Sequence, residues 1–481
     1  MTTRYQTLAD DLANRIHAGV LQPGSRVPSV RQLCTLHTVS PATVTHALHL
    51  LEDAGLIEAR PRLGFFVRQH SRRFAPPSQC AEPALPTAIQ LEGHRKLVIE
   101  FTDEVAHPWL GMSAIADELF PLAQVKKLLV QQLQRDPQIL NRASYGGEPS
   151  LREQLARRSL ILGCNFQPDE IIVTHGDTEA TDLCLRLLTR PGDLVAIQTP
   201  GPLRVLEMLE GLGLHALEIP AHPCDGLSVD ALAHALQHNK PAACIINANF
   251  PSPTGSRMPE SEKARLVELA QRHAMPLIEV DTFGDLNHGE QRPRPIKAYD
   301  RHDNVLYCGE LSTLVSPGLG IGYIAAGRHR LTLAASQVVH GEPVPALIQH
   351  TMAALLSGGQ FEPHMRRLRS RLASQMQAYR KMVIEHFPGG TRMACGDGGF
   401  MLWLELPDNL DAAELQRRVL ATGHTFAPGA LFSLGSSFAN CLRLNAGYPL
   451  SCQIEEGIRI IGRLAHAMQA EQHGEKTLNR L

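Results

Sequence analysis

The chain has 481 residues, of which 43% are apolar and 20% charged, and its net charge is −2. These totals indicate a globular protein of two or three domains and exclude a general affinity for nucleic acid, so any nucleic-acid site must be a local patch. The N-terminus is polar, and no apolar run approaches the roughly 20 residues of a membrane span, so we expect a cytoplasmic protein. The ten cysteines are scattered without ligand spacing, which predicts buried thiols and no metal site.

The sequence of the N-terminal module predicts three helices followed by a β-ribbon. Apolar residues at helical spacing predict a first helix over residues 5–18. Ser29 is a good N-cap for a second helix, and Ser40 caps a third helix that ends at Gly55. The segment "LIEARPRLGFFV" predicts two short strands joined by a turn at Pro61–Gly64.

Three helices and a ribbon indicate a winged helix-turn-helix, whose third helix lies in the major groove of DNA. The module contains arginines but no lysine, and its ribbon arginines suit phosphate or minor-groove contacts. The residues predicted to bind DNA are Arg31, Ser40, Thr43, Thr45, His46, Arg60 and Arg62. A helical protein–protein module with a solvated basic face is the alternative, but the basic ribbon beside the helix-turn-helix spacing favours DNA.

This module resembles the GntR family of bacterial repressors. The stretch "AGVLQPGSRVPSVRQLCTLHTVSPATVTHALHLLEDAGLIEARPRLGFFV" is similar to the family's consensus along its whole length. The resemblance implies a double-stranded DNA operator as the partner. Many members of the family have arginines at the positions of Pro41 and Thr45, so their absence implies weaker or different base readout.

The rest of the chain divides into a linker and a large domain. The module spans residues 1–70, and residues 71–95 are rich in Pro, Ala and Gln without a clear period, which predicts a linker. In residues 96–481, short β-branched runs alternate with helical stretches. This pattern predicts an α/β domain with a mostly parallel central sheet, and a ligand cleft at the carboxyl ends of its strands. The backbone N–H groups after Gly176 start a helix there and form a potential anion site.

Residues 144–447 resemble the fold type I aminotransferases, which use pyridoxal phosphate. The resemblance depends on "SYGGEPSLRE", "RPGDLVAIQTP", "PSPTG", "SPGLGIGY", "GGFMLWLELP" and "NCLRLNAG". Joined to a GntR module, such a domain is typical of MocR-type regulators. The resemblance also implies a homodimer, because the family builds its cleft at the subunit interface.

The positions of the family's cofactor contacts are changed in this sequence. The Schiff-base lysine falls on Thr313, next to Ser312, the phosphate arginine falls on Gly320, and the acid at the pyridinium nitrogen falls on Val280. Alternation along the strand turns the neighbouring acids, Glu279 and Asp281, to its other side.

Further changes affect the ring and the phosphate. The family's tyrosine, turn asparagine and stacking aromatic fall on Phe283, Ser252 and Pro202. The phosphate loop after Gly176 contains Asp177, whose charge opposes a phosphate, and Thr178. The nearest preceding lysine is Lys297, which we expect at the surface.

The resemblance therefore implies a DNA-binding transcription regulator rather than an enzyme. No covalent cofactor is expected, although weak non-covalent binding of pyridoxal 5′-phosphate stays open. Arg443 is retained, and in the family this arginine binds a substrate carboxylate, so a small amino or carboxylic acid is the expected effector. For Arg443 the alternative is a structural ion pair. Two alternatives remain for the whole chain. The first is an aminotransferase or regulator that retains pyridoxal phosphate through another lysine or non-covalently. The second is a scaffold that no longer binds DNA.

Overall fold

The structure, a computed structural model of the chain, describes residues 4–17, 21, 25–53, 57–60, 64–67, 75–78, 85–102, 106–394, 396–407, 410–435 and 437–478. The chain divides into two compact units, Met1–Arg73 and Phe74–Leu481. None of the helices in the described residues is long and apolar enough to cross a membrane.

The N-terminal unit contains the three helices and the ribbon that the sequence predicts. Its elements are α1 (Arg4–His17), α2 (Val30–His37), α3 (Pro41–Asp53), β1 (Ile57–Arg60) and β2 (Gly64–Val67). Strands β1 and β2 pair antiparallel. Gly55 and residues 61–63 lie outside the described residues, so the helix end and most of the turn stay predictions.

Helix α2 begins at a reciprocal cap. The Ser29 hydroxyl accepts the backbone N–H of Gln32 at 3.3 Å, and Gln32 Oε1 accepts the backbone N–H of Ser29 at 2.8 Å. This capping box satisfies two N–H groups that a helix start otherwise leaves without a partner. The core of the unit joins all three helices to β1 and includes Leu8, Leu12, Leu33, Val44, Leu48, Leu51 and Ile57.

The large unit alternates helices with strands. Its helices are α4 (Glu92–Thr102), α5 (Leu122–Arg135), α6 (Pro149–Ser159), α7 (Gly176–Leu188), α8 (Leu203–Gly211), α9 (Val229–Ala235), α10 (Glu260–Arg272), α11 (Ser312–Val315), α12 (Arg330–His340), α13 (Ala346–Ser357), α14 (Phe361–His386), α15 (Ala412–Leu420) and α16 (Cys452–Leu478). Its strands are β3 (Pro86–Ala88), β4 (Ala143–Ser144), β5 (Ile171–Thr174), β6 (Leu194–Thr199), β7 (His215–His222), β8 (Gly226–Leu227), β9 (Ala243–Ile246), β10 (Leu277–Asp281), β11 (Val305–Glu310), β12 (Gly322–Ala325), β13 (Val344–Pro345), β14 (Arg392–Met393), β15 (Met401–Glu405), β16 (Ala427–Pro428) and β17 (Cys441–Asn445).

In the described residues, nine strands form one sheet in the order β3-β7-β6-β9-β10-β11-β12-β5, with β8 added on β7. The pairs from β7 to β11 in this order are parallel. Strand β12 runs antiparallel to both of its neighbours, and β3 runs antiparallel to β7. The predicted mostly parallel sheet is therefore confirmed.

Helices cover both faces of this sheet. One apolar cluster joins the strands to α7, α8 and α12, and a second joins them to α9 and α10. Because the central strands are buried on both faces, their sequences are continuous apolar runs without alternation, such as "ACII" in β9.

A second, antiparallel sheet lies towards the C-terminus. Its order is β14-β15-β17-β16, and it packs with α14, α15 and α16 around a separate core. Strand β17 carries Arg443, which pairs with Trp403 of β15 in the ladder. This sheet therefore supplies the retained arginine.

The predicted linker, residues 71–95, is wrong for its second half. Strand β3 pairs with β7 in the main sheet, Leu91 is fully buried, and α4 begins at Glu92. Earlier in the segment, the Ser78 hydroxyl donates to Glu405 at 2.6 Å. The composition predicted a linker because a strand of three residues is too short to show a periodic pattern. This short strand nevertheless covers an edge of the main sheet.

The cysteines only partly match the expectation of buried thiols. The free and buried cysteines are Cys164, Cys184, Cys244, Cys308 and Cys441. Cys34 is half-buried, Cys452 is exposed and Cys224 is disulfide-bonded, so the expectation does not hold for these three. Burial in an apolar run predicts the first group, but a disulfide depends on residues far apart in the chain.

Candidate functional site

The start of α3 exposes several of the residues predicted to bind DNA. Thr45 and His46 are exposed on α3, Ser40 is exposed just before it, and Arg31 is exposed on α2, while Thr43 is half-buried. A helix start with exposed polar side chains has the chemistry to contact base edges and phosphates in a major groove.

Local contacts already engage some of these side chains. The Ser40 hydroxyl accepts the backbone N–H of Thr43 at 3.3 Å and lies 2.9 Å from the Thr43 hydroxyl. The His46 ring packs edge-on against Tyr5, with the ring centroids 4.4 Å apart. Ser40 and Thr43 therefore form the cap of α3, a role that DNA contact would have to share.

The ribbon arginines are less fully described. The backbone of Arg60 pairs with Gly64 in the ribbon, which places this residue next to the turn. Arg62 lies outside the described residues. The proposed phosphate contacts of the ribbon therefore stay predictions.

The large unit contains a cavity of about 250 Å³ at the carboxyl ends of its parallel strands. Its walls come from the loops that follow β6, β9 and β10, from the first turn of α7, and from β17. Ligands bind at this edge in open α/β sheets. Of the predicted site residues, the cavity brings together Asp177, Thr178, Pro202, Ser252, Val280, Phe283 and Arg443.

Arg443 is a buried cation without a carboxylate partner among the described residues. Its guanidinium donates to the carbonyls of Gly111 and Met112 and to the Ser252 hydroxyl, the last at 3.2 Å. Its Nε has no partner, and the guanidinium lies 5.3 Å from the ring centroid of Phe432. Burial lowers the pKa of Arg443 to about 10. The ion-pair alternative for Arg443 is therefore wrong within the described residues, and the group retains capacity for an anion.

Gln198 is a second polar group in the cavity wall, and the sequence did not single it out. Its side chain is 7% exposed, and neither atom of its amide has a hydrogen-bond partner. A buried amide without a partner is costly in an empty site and can be satisfied by a ligand or water. The signal in the sequence is a single amide at the end of an otherwise apolar strand, "LVAIQ".

The N-terminus of α7 is occupied by side chains of the protein itself. Glu310, the last residue of β11, accepts the backbone N–H of Asp177 at 2.8 Å. The Asp177 carboxylate accepts hydrogen bonds from the Thr282 hydroxyl at 2.5 Å and from the Arg204 guanidinium at 3.1 Å. Arg204 also donates to the Thr178 hydroxyl at 2.7 Å. The predicted anion site after Gly176 therefore contains two carboxylates.

Glu310 is unusual in its titration. Burial raises the pKa of this carboxyl to about 7, and the nearby Asp177 carboxylate adds to the rise. The backbone N–H groups of Asp177 and Ser312 oppose it, because they stabilise the ionised form. The sequence did not single out Glu310.

Strand β10 turns Val280 towards the cavity and its neighbouring acids away from it. Val280 lines the cavity, whereas Glu279 is buried and accepts the backbone N–H of Ile296 at 2.6 Å. Asp281 pairs with Arg292 at 2.6 Å. This arrangement agrees with the alternation that the sequence predicts, and it leaves an apolar surface beneath the cavity.

The loop after β11 has its own internal contacts. The Ser312 hydroxyl donates to the Ile321 carbonyl at 3.0 Å, and Gly320 has the left-handed backbone angle φ of 53°. Thr313 is half-buried. Gly176, Ser312, Thr313 and Gly320 do not stand among the described residues that line the cavity.

The lysines near this region are engaged elsewhere. Lys297 was expected at the surface, but its side chain is 12% exposed and pairs with Asp300 and Asp303 at 3.0 and 3.1 Å. Lys263 is fully buried and donates to Asn249 at 2.9 Å. No lysine stands among the described residues of the cavity wall. The expectation for Lys297 is wrong because two acids, three and six residues later, fold back over its amine.

Two family descriptions match the chain. Bacterial regulatory proteins of the gntR family match residues 4–67. Aminotransferase class I and II matches residues 110–457, which is well over half of the chain. Pyridoxal phosphate is the cofactor of this second family.

Known proteins resemble the chain over one or both units. The Escherichia coli (strain K12) protein "Uncharacterized HTH-type transcriptional regulator YdcR" is 33% identical over 96% of this chain and 98% of its own. "Aromatic-amino-acid aminotransferase 1" of Thermococcus litoralis is 28% identical over 74% of this chain and 86% of its own. The solved structure of LysN, an alpha-aminoadipate aminotransferase of Thermus thermophilus, has a TM-score of 0.71 and 26% identity, covering 80% of this chain and 96% of its own.

Proposed function

Because the chain belongs to the aminotransferase class I and II family and carries a gntR-family regulatory domain at its N-terminus, we propose that it is a DNA-binding transcription regulator whose large domain binds a small acid without catalysing transamination. The long match to an E. coli protein named as a transcriptional regulator supports the first part of this proposal. By the family resemblance, the working form is a homodimer on a double-stranded operator.

The observation that carries DNA binding is the exposed start of α3 within a winged helix-turn-helix. Thr45 and His46 project from the helix that such modules insert into the major groove. Arg31, which is exposed on α2, is the proposed phosphate contact. DNA affinity should therefore fall when the exposed side chains of α3 are shortened.

A mobility-shift assay tests this part. The wild-type protein should retard a fragment of its own promoter region and leave unrelated DNA of equal length unretarded. Thr45→Ala should weaken specific binding, since a lost base contact typically costs about 1–3 kcal/mol. Thr7→Ala is the matched control, because Thr7 is an exposed threonine on α1. Equal retardation of both DNAs by the wild type would contradict the proposal.

The proposed loss of catalysis depends on the cleft. A transaminase needs an amine to form the Schiff base and a carboxylate at the pyridinium nitrogen. By the family resemblance, these positions fall on Thr313 and Val280, and the described wall of the cavity contains no lysine. We infer that pyridoxal phosphate does not fit this site as a covalent cofactor.

A working pyridoxal phosphate site is the second candidate, because the fold and the family are those of aminotransferases. Absorption spectra of the protein titrated with pyridoxal 5′-phosphate, followed by borohydride reduction and intact mass, separate the two. No new visible band and no added mass are expected. A reduced adduct on any lysine of the chain would support the second candidate.

The ligand proposal depends on Arg443. This buried guanidinium has no carboxylate partner among the described residues, and the Gln198 amide beside the same cavity also lacks partners. A small acid supplies a carboxylate for the first group, while its polar substituents can meet the second. The apolar wall then contacts the rest of the ligand.

A further inference from the structure

We propose that Glu310 and Asp177 are built-in anions that occupy the phosphate position at the N-terminus of α7, so that this cleft excludes phosphorylated ligands and accepts only unphosphorylated acids. The inference deepens the proposed ligand site, on which it rests, by naming the class of ligand that the site takes. It concerns the large unit alone, so it is tested apart from DNA binding.

The first step is the helix start itself. Helix α7 has 13 residues and begins at Gly176, whose φ of 81° places it in the left-handed region that glycine favours. Its N-cap residue, His175, makes no side-chain cap. Free N–H groups at such a helix start attract an anion.

The second step is that Glu310 supplies this anion. Its side chain is 8% exposed, and its two oxygens accept the backbone N–H groups of Asp177 at 2.8 Å and Ser312 at 2.7 Å. A Cβ placed on Gly176 would lie 3.0 Å from Glu310 Oε2. The carboxylate therefore lies against the first turn of the helix, where a bound phosphate would otherwise be.

The third step is that Asp177 occupies the remaining donors. A phosphate site needs hydroxyl groups and a cation besides backbone N–H groups. Thr282, Thr178 and Arg204 provide such groups here, and all three contact the Asp177 carboxylate, at 2.5, 3.4 and 3.1 Å. The donors of an anion site are thus present, but the protein's own carboxylates use them.

The charges in this region also disfavour a bound phosphate. A phosphate entering this region would meet two carboxylates and would have to displace their hydrogen bonds, so it gains no net attraction. In the wall of the same cavity, Arg443 Nε and the Gln198 amide have no partner. The open capacity of the cleft therefore suits one carboxylate and a neutral polar group on an apolar body.

Inorganic phosphate is the probe for the test, applied to the full-length protein above the pKa of Glu310, which is about 7, so that this carboxyl is ionised. Binding to the native state raises its stability in proportion to the logarithm of ligand concentration over Kd. The melting temperature of the wild type should be the same in phosphate and in chloride of equal ionic strength. Glu310→Ser should gain a phosphate-dependent rise that corresponds to at least roughly tenfold tighter binding.

Two further variants complete the test. Glu310→Gln keeps the shape of the side chain and removes its charge, so it should also bind phosphate more tightly than the wild type if Glu310→Ser does not fold. Asp182→Asn is the matched control, because Asp182 lies on the same helix and pairs with Arg186; it should behave as the wild type.

Two results would contradict the proposal. A wild type that phosphate stabilises as strongly as it does the Glu310 variants would overturn the proposal, and so would a folded Glu310→Gln variant that gains no phosphate response. Mobility shifts on the same preparations separate this outcome from the regulator proposal. A wild type that does not bind operator DNA would refute the proposed regulator function. The phosphate result would still stand.

Discussion

At the scale of single residues, the proposed ligand selectivity of the cleft depends on Arg443 and Glu310. Both are buried charges, and a buried charge is tolerated only when hydrogen bonds or a partner compensate its lost hydration. Glu310 finds backbone N–H groups at 2.7 and 2.8 Å. Arg443 finds carbonyl groups and a hydroxyl but no acid among the described residues. The Glu310 carboxylate is thus satisfied within the chain, whereas Arg443 Nε has no partner.

The Arg443 guanidinium should be required for any carboxylate ligand. In a panel of small carboxylic acids, those that stabilise the wild type should bind Arg443→Met at least roughly 10–100-fold more weakly, since a hydrogen bond to a charged group contributes about 1.5–3 kcal/mol. Titration calorimetry measures the change. Arg459→Met is the matched control, because Arg459 is an exposed arginine that pairs with Glu455. An unchanged affinity in Arg443→Met would place the acid elsewhere.

Glu310 should make the stability of the protein depend on pH. Burial and Asp177 raise its pKa in the folded state to about 7, while the unfolded chain titrates near 4.3. Between these values the folded protein holds a proton that the unfolded chain has lost, so stability falls as pH rises through this window. Relative to the wild type, Glu310→Gln should gain up to about 3 kcal/mol of unfolding free energy from pH ~5 to pH ~8.

Denaturant titrations of both proteins across that range measure this gain. The groups that face Glu310 are the Asp177 carboxylate, with its partner Arg204, and the two backbone N–H groups. A difference between the two proteins that stays constant with pH would show that Glu310 is ionised throughout. The phosphate experiment requires the ionised form of Glu310, so it is run above its pKa.

At the scale of elements, the cap of α2 should contribute to the stability of the N-terminal unit. Ser29→Ala removes the hydroxyl that accepts the Gln32 N–H, which should cost about 1 kcal/mol. Thr35→Ala on the same helix is the control, because its hydroxyl only donates to the Arg31 carbonyl and alanine favours a helix interior. Hydrogen exchange of the α2 amides reports the difference; equal protection in both variants would contradict the role of the cap.

The segment that contains β3 should stabilise the large unit. Leu91→Ala removes a fully buried side chain and should cost about 2–5 kcal/mol. Leu85→Ala, in the same segment, removes a side chain that is 66% exposed and should change the unfolding free energy by less than about 0.5 kcal/mol. Denaturant unfolding of the full chain measures both. If the segment were a linker, neither change would affect stability.

At the scale of the whole molecule, the gntR-type module and the proposed ligand site belong to different units. The N-terminal unit and the large unit have separate cores, and the proposed contacts to DNA and to the acid do not share a residue. The chemistry of each can therefore be changed without changing that of the other, and any regulation must couple two sites that differ in their ligands.

The salt dependence of DNA affinity distinguishes residues that contact DNA from residues of the ligand site. Arg31→Ala should lower the slope of log affinity for operator DNA against log salt by about 1, because one phosphate contact is lost. Arg443→Met, in the large unit, should leave that slope unchanged. Mobility shifts at several salt concentrations measure it. A slope that does not change in Arg31→Ala would remove Arg31 from the predicted phosphate contacts.

The sequence by itself determined the elements and their order, because those depend on neighbours in the chain. The cap at Ser29, the helix start at Pro41 and the continuous apolar runs of the parallel strands are local patterns, and the structure contains the elements they predict. The alternation around Val280 is also local, and it correctly separated this residue from Glu279 and Asp281.

Only the tertiary structure decided which charges are satisfied. Glu310 reaches the N–H of a residue 133 positions away, and the carbonyls that receive Arg443 lie more than 300 positions away. The burial of Lys297 and the pairing of β3 with β7 likewise depend on how the chain folds back on itself. A hydrogen bond between distant residues leaves no period or motif in the sequence, so the filled anion position and the open guanidinium appeared only when the sheet brought them to one edge.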